Sequence, residues 1–278
     1  MILAAATMAL AVGCTREPME EITDPASVVD AQGRMHLRAT MDPITGESGT
    51  KADIDQDGTF TWSEGDKVAV HTESEGYVDF FLENGAGTDE GAFSGETDDT
   101  RNFFAVFPAS YVDASNYGDP TLNVVLPDSY AIDNTRADWK EYYKTLATLP
   151  MVAVNNSSTT SLAFKHVGGI FRISLSNVPA GTKTIVVTLD KDVTGTFAVD
   201  VSDPSAPTIT AGEVTTNNTI TFNLAQALSE ETFGLILNVP VPTGSYSAVN
   251  VECFSADASS NGSIGSARGR EMDRAMGR

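Results

Sequence analysis

The sequence predicts an all-β protein built from antiparallel β-sandwiches with one short helix. Three observations predict it. Short apolar or alternating runs recur along most of the 278 residues, and β-branched residues and Phe dominate them, as a half-buried pleated surface prefers. Gly, Pro, Asn and Asp break these runs at short intervals, which is the punctuation of hairpins. Finally, no regular alternation of strand and helix patterns points to a parallel sheet.

At the amino end, residues 2–12 form an apolar run too short to span a bilayer. It closes on Ala11, Val12, Gly13 and Cys14, the small-residue ending of a signal peptide. The Cys makes it similar to the lipobox of bacterial lipoproteins, in which the thiol is acylated and becomes the mature N-terminus. Leu10 stands four residues before the Cys, one place farther from it than the usual lipobox Leu, and no Lys or Arg precedes the run. The expectation is a lipoprotein signal peptide over residues 1–14 with lipidation at Cys14; a plain signal peptide is the alternative. Residues 15–33 are polar, acidic and unpatterned, as befits a tether.

From there the runs follow in order. "GRMHLRATM" alternates Met35, Leu37 and Ala39 with polar residues. "TFTW", "KVAVHT", "YVDFFL", "NFFAVFP", "TLNVVLP" and "MVAVNN" continue the series. "LAFKHVGGIFRISLSNVP", "KTIVVTL", "GTFAVDV", "TITFNL", "FGLILNVPVP" and "SAVNVECFSA" complete it. One stretch reads as helix: "NTRADWKEYYKTLATLP" offers Asn134 or Thr135 as a cap and Pro150 beyond the end, with Trp139, Tyr143 and Leu146 near helical spacing. The polar "NNSSTTS" at residues 155–161 is either a linker or a long hairpin loop. The linker reading gives an N-terminal domain over residues 34–160 and a C-terminal one over 161–278.

Composition excludes some functions. The formal charge of −21 leaves no basic footprint for nucleic acid; it reads as solubility. Residues 53–64 place Asp53, Asp55, Asp57, Gly58 and Glu64 at EF-hand spacing. An EF-hand needs flanking helices, but Pro43, Gly46 and Gly49 stand upstream, and downstream Thr59, Thr61 and Ser63 alternate with Phe60 and Trp62. An acidic turn between two strands is the better reading, with Phe60 and Trp62 pointing inward and a Ser-Glu-Gly-Asp turn at 63–66. His36, His71 and His166 show no metal-ligand spacing. No nucleophile elbow, phosphate loop or dinucleotide fingerprint is present, so neither an enzyme nor a cofactor or metal is expected. Cys253 alternates with Val249 and Val251, as an inert buried thiol does. Trp62 and Trp139 are candidates for stacking on sugars, although a large aromatic in a β-protein more often fills the core.

Several segments in sequence order are similar to the fimbrillin family, the pilin-like surface lipoproteins of Bacteroides and its relatives. They are Cys14 with the acidic "EPMEE", "TKADI" before "GTFTWSEGDKVAV", "FFAVFPASY", "LAFKHVGGIFRISL" and the closing "SARGREMDRAMGR". The resemblance implies two transthyretin-like β-sandwich domains in tandem, export to the outer membrane and cell surface as a lipoprotein, and a part in fimbria assembly or adhesion. It also implies that in polymerising members a protease of trypsin-like specificity cuts after an Arg in the first strand, and that another subunit's strand fills the groove so opened. Arg34 and Arg38 are the matching positions here. Arg34 precedes the whole alternating run. An uncut chain, whose first strand completes its own sheet, is the other possibility. Residues 266–278, with four Arg, are the candidate donor, although they lack a long apolar alternation. The alternative function is a non-polymerising glycan-binding surface lipoprotein of a nutrient-uptake system.

Overall fold

The computed structural model describes residues 29–41, 53–54, 60–97, 99, 102–112, 122–140, 149–154, 160–257, 260–267 and 271–272. Cys14, the tether up to residue 28 and residues 273–278 lie outside them. The described chain is almost entirely β. Its first strands are β1 (Arg34–Met41), β2 (Asp53–Ile54), β3 (Phe60–Thr61), β4 (Lys67–Thr72), β5 (Gly76–Asn84), β6 (Glu90–Glu96) and β7 (Asn102–Phe107). After one 3-10 turn at Ala109–Tyr111 come β8 (Asn123–Leu126), β9 (Ser129–Ile132), β10 (Met151–Val154), β11 (Ser161–His166) and β12 (Gly169–Leu175). The rest are β13 (Thr184–Leu189), β14 (Thr194–Asp200), β15 (Thr208–Asn217), β16 (Thr219–Leu224), β17 (Leu235–Val241), β18 (Gly244–Ser245), β19 (Val249–Phe254), β20 (Ser260–Ala267) and β21 (Glu271–Met272).

Seven strands close into a barrel in the order β1-β11-β10-β7-β4-β5-β6, with β6 returning to β1. The first half is therefore enclosed by one closed sheet rather than by two separate sheets, because β1 is paired along both of its edges. Period-two alternation explains which side chains fill it. Val68 and Val70 of β4, Met151 and Ala153 of β10, and Leu162 and Phe164 of β11 point inward. Ala69, Val106 and Val152, one residue out of phase, point outward into a second apolar layer. There they meet Val124 and Leu126 of β8 and Phe197 and Val199 of β14.

The remaining strands build a third core. β20-β19-β13-β16-β9 form a five-stranded sheet, whose Ile185, Val187, Ile220, Phe222 and Val251 pack with Ile173 and Leu175 of β12 and Leu235, Leu237 and Val239 of β17. β17 contains Pro240 and pairs in the described structure with β12 alone, consistent with the confinement of strand prolines to edges.

Strand pairing crosses residue 160 in both directions. β11 belongs to the barrel, against β1 and β10. β8 pairs with β14, and β9 runs parallel to β16. Within the expected helix, Trp139 and Lys140 are helical and residues 141–148 lie outside the described residues. Asn134 is no cap: its amide donates to the Gln226 carbonyl at 2.8 Å and its Oδ1 accepts from the Gln226 N–H at 2.9 Å.

Candidate functional site

The candidate site is β1 and the residues that hold it. Its inward side chains Met35, Leu37, Ala39 and Met41 are almost completely buried, at 0, 1, 0 and 5% exposure. Full burial of a large apolar side chain is worth about 1.5–3 kcal/mol, so three of these four positions fix the strand's register. On one edge β1 runs antiparallel to β6, from Arg34↔Glu96 to Thr40↔Glu90. On the other it runs parallel to β11, from Arg38↔Ser161 to Met41↔Phe164. β1 is thus a seam strand: it alone joins β6 to β11.

β6 itself is shaped for closeness. A Cβ on Gly91 would lie 2.9 Å from Trp62 Cδ1. Trp62 fills the barrel with its indole edge-on to Phe93, Phe107 and Phe164, centroids 4.8, 5.1 and 5.7 Å away. Its backbone is clamped by the 85–88 turn, donating to Thr88 O at 2.8 Å and accepting from Gly87 N–H at 2.7 Å.

The entrance to β1 is a tight turn with Gly33 at φ 77°, a left-handed conformation that favours glycine. Val29 bridges back to Met35 across it. The Asp30 carboxylate organises this turn. Its Oδ1 accepts the backbone N–H groups of Gln32 and Arg34, both at 2.9 Å. Its Oδ2 accepts Arg34 Nε at 3.1 Å, lies 3.0 Å from Arg34 Nη2 and stands 3.0 Å from His36 Nε2. The Arg34 N–H and the His36 ring, followed by the Gln32 N–H and the Arg34 side chain, hold Asp30 far below the usual carboxylate range. Glu83 of β5 completes the cluster. Its Oε1 accepts Arg34 Nη1 at 3.1 Å and the Ser94 hydroxyl at 2.7 Å, and its Oε2 lies 3.4 Å from His36 Nδ1.

The two arginines occupy different settings. Arg34 stands at the strand's mouth with its guanidinium between Asp30 and Glu83 and its side chain 40% exposed. Arg38 is mid-strand, opposite Ala92 on one side and Ser161 on the other, and its N–H donates to Thr160 O at 2.7 Å.

The other sequence candidates fall apart spatially. Asp53–Ile54 and Phe60–Thr61 pair antiparallel, so strands flank the acidic segment, and residues 55–59 lie outside the described residues. The Ser63–Asp66 turn forms, with the Ser63 N–H donating to Asp66 Oδ2 at 2.7 Å and Gly65 at φ 86°. His71 packs against Tyr77 and Phe104, and His166 lies opposite Met151 in the barrel wall, both far from the chemistry of His36. No group of metal-ligating residues occurs among the described residues. Trp62 is enclosed in the barrel core, and Trp139 packs half-buried against the third core. Cys253 is buried and burial pushes its thiol up, which makes it inert. Of residues 266–278, the backbone at 266–267 ends β20, and Glu271–Met272 pairs with Gly244–Ser245.

Asp30, Glu83 and Ser94 carried no sequence signal. They are remote in the chain, and only the β1–β6–β5 ladder brings them together.

No protein-family model matches the chain, and neither does any curated protein sequence. One solved structure, a candidate cell adhesion protein from Bacteroides ovatus, aligns with a TM-score of 0.38 and 12% identity, over 80% of this chain and 82% of that one.

Proposed function

We propose that this chain is a non-catalytic cell-surface subunit of a fimbria or adhesin, exported as a lipoprotein through Cys14 to the outer membrane. Its assembly step is exchange of β1 for a strand of another subunit after proteolysis at Arg34 or Arg38. The fold proposed with it is a tandem of two transthyretin-like units. The first has its sandwich closed into a barrel by β1, and the second takes in β8 and β9.

One observation carries the reading: β1 sits in a slot that it both hydrogen-bonds and fills. If it left, the facing backbone groups of β6 and β11 would be unpaired, and the pockets of Met35, Leu37 and Met41 would each lose about 1.5–3 kcal/mol of burial. Such a slot does not stay empty. It is refilled by an extended strand with alternating apolar side chains, the physics of strand addition. Cutting after Arg38 places Met35 and Leu37 on the released piece; cutting after Arg34 frees the lipidated segment and leaves the strand attached to the body.

The test is incubation of the purified full chain with an Arg-specific protease, followed by light scattering and electron microscopy. Loss of an N-terminal piece ending at Arg34 or Arg38 with growth of multimers is expected. A chain cut there that stays monomeric, or one that resists the protease at both arginines, overturns polymerisation.

A further inference from the structure

We infer that the Asp30–Glu83 carboxylate pair is a gate on the Arg34–Met35 peptide bond, so that of the two arginine bonds in β1 this one is reached first, and only when the pair lets go. The inference rests on the reading of β1 as a processed strand and names what regulates its processing.

An Arg-directed protease must take the guanidinium into an acidic pocket and lay the main chain out extended beside its own. In this protein both requirements are already claimed. The Arg34 guanidinium is held from one side by Asp30 and from the other by Glu83. The Arg34 main chain is held as well: its N–H donates to Asp30 Oδ1 and its carbonyl accepts the Asp30 N–H, each at 2.9 Å. Met35, on the far side of the bond to be cut, is completely buried. Charge-assisted bonds of this kind are roughly twice as strong as neutral ones, and several of them converge on the single carboxylate of Asp30.

Opening the gate is nevertheless a local event. It frees the turn from Val29 to His36 and the first part of the β1–β6 ladder, and it leaves the parallel ladder with β11, which begins at Arg38↔Ser161, intact. The Arg38–Ala39 bond differs. Leu37 and Ala39 beside it are buried in the barrel, and the main chain is paired on both sides, so exposing it requires β1 to leave the barrel. Access to the two arginines is thereby ordered, Arg34 by local opening and Arg38 by loss of the barrel. Hydrolysis at Arg34 consumes one water, breaks the C–N bond, and leaves a carboxylate on Arg34 and an ammonium on Met35. The departing piece carries Asp30 with it, so the gate cannot re-form.

The full chain and its D30A, E83Q and D99N variants are digested with an Arg-specific protease, and the fragments ending at Arg34 and at Arg38 are followed by intact mass. Circular dichroism checks that each variant is folded. Cleavage of a transiently opened segment tracks the population of its open form, so a rise of about tenfold or more at Arg34 in D30A and a smaller rise in E83Q are expected, with Arg38 unchanged. D99N removes a carboxylate bound to Ser74, away from β1, and is expected to match the wild type. An unchanged Arg34 rate in both D30A and E83Q overturns the gate, as does a parallel rise at Arg34 and Arg38, which reports a loosened barrel instead. The readout is bond cleavage: a chain gated in this way that never forms multimers removes the assembly reading and leaves the gate standing.

Discussion

Gly95 of β6 lies directly against the ring of Phe80: a Cβ at this position would stand 2.6 Å from Phe80 Cδ2 and 2.7 Å from Cε2. Phe80 is itself fully buried, so the ring has nowhere to retreat. Glycine in a strand often marks such a close approach. Gly95→Ala is expected to destabilise the protein by about 1–3 kcal/mol through overpacking. Urea unfolding measures it, and an alanine variant as stable as the wild type would show that the ring can move.

The alternation of β1 predicts a contrast between an inward and an outward position of the strand. Leu37 is 1% exposed in the barrel core, and Leu37→Ala is expected to cost about 2–5 kcal/mol. Thr40 faces outward and is only half-buried, and Thr40→Ala is expected to fall within about 0.5 kcal/mol of the wild type. Denaturant midpoints at constant slope decide it.

Acid should loosen the start of β1 before the rest of the barrel. The folded state holds the Asp30 carboxyl well below its ordinary value, through the Arg34 N–H and the His36 ring. A lowered folded pKa contributes stability that is present above the unfolded value of about 4 and is lost as pH falls below it. Hydrogen exchange at the amides of Arg34 and Met35 is therefore expected to accelerate below about pH 4, after correction for intrinsic rates. In Asp30→Asn this extra acceleration should disappear. The comparison with wild type is needed because Asp99, Asp133 and Asp190 are lowered as well.

Alkali acts on the opposite side of the molecule's range. Burial raises Tyr111 well above the ordinary phenol value, and burial followed by the neighbouring Tyr111 raises Tyr130. The two rings belong to the 3-10 turn after β7 and to β9, which pairs with β16. A raised folded pKa gives stability that is complete below the unfolded value of about 10 and is lost as pH climbs past it. Ultraviolet titration should show these phenols ionising only together with unfolding. In the Tyr111→Phe variant the alkaline transition should move to higher pH, and an unshifted transition would assign it to other groups.

Strands whose signal is local were legible in the sequence. Lys67–Thr72 and Thr219–Leu224 fall where the alternation placed them, and β1 follows the Met35, Leu37, Ala39 period to its last residue. β6, "EGAFSGE", was not legible, because glycines and small residues read as loop until the rings that need their space are seen around them. β15 and β20 were missed for a related reason, since polar and small residues dominate "TITAGEVTTN" and "SNGSIGSA". Partnership was less legible still. Nothing local in "NVVL" or "SYAI" announces that β8 and β9 pair with strands near residues 195 and 221. Of the candidate site, Arg34 and Arg38 were visible as cations in an alternating run. The carboxylates that separate their fates were not, because Glu83 reaches Arg34 only through the folded ladder.

The parallel ladder between β1 and β11 has a consequence for the order of folding. Arg38↔Ser161 and its neighbours span a larger stretch of chain than any other described ladder, so their loop-closure cost is the highest and their contacts are the slowest to form. The first barrel strand to be synthesised is therefore among the last to find both of its partners. Until β11 arrives, β1 and β10 present unfinished edges to any strand that comes near.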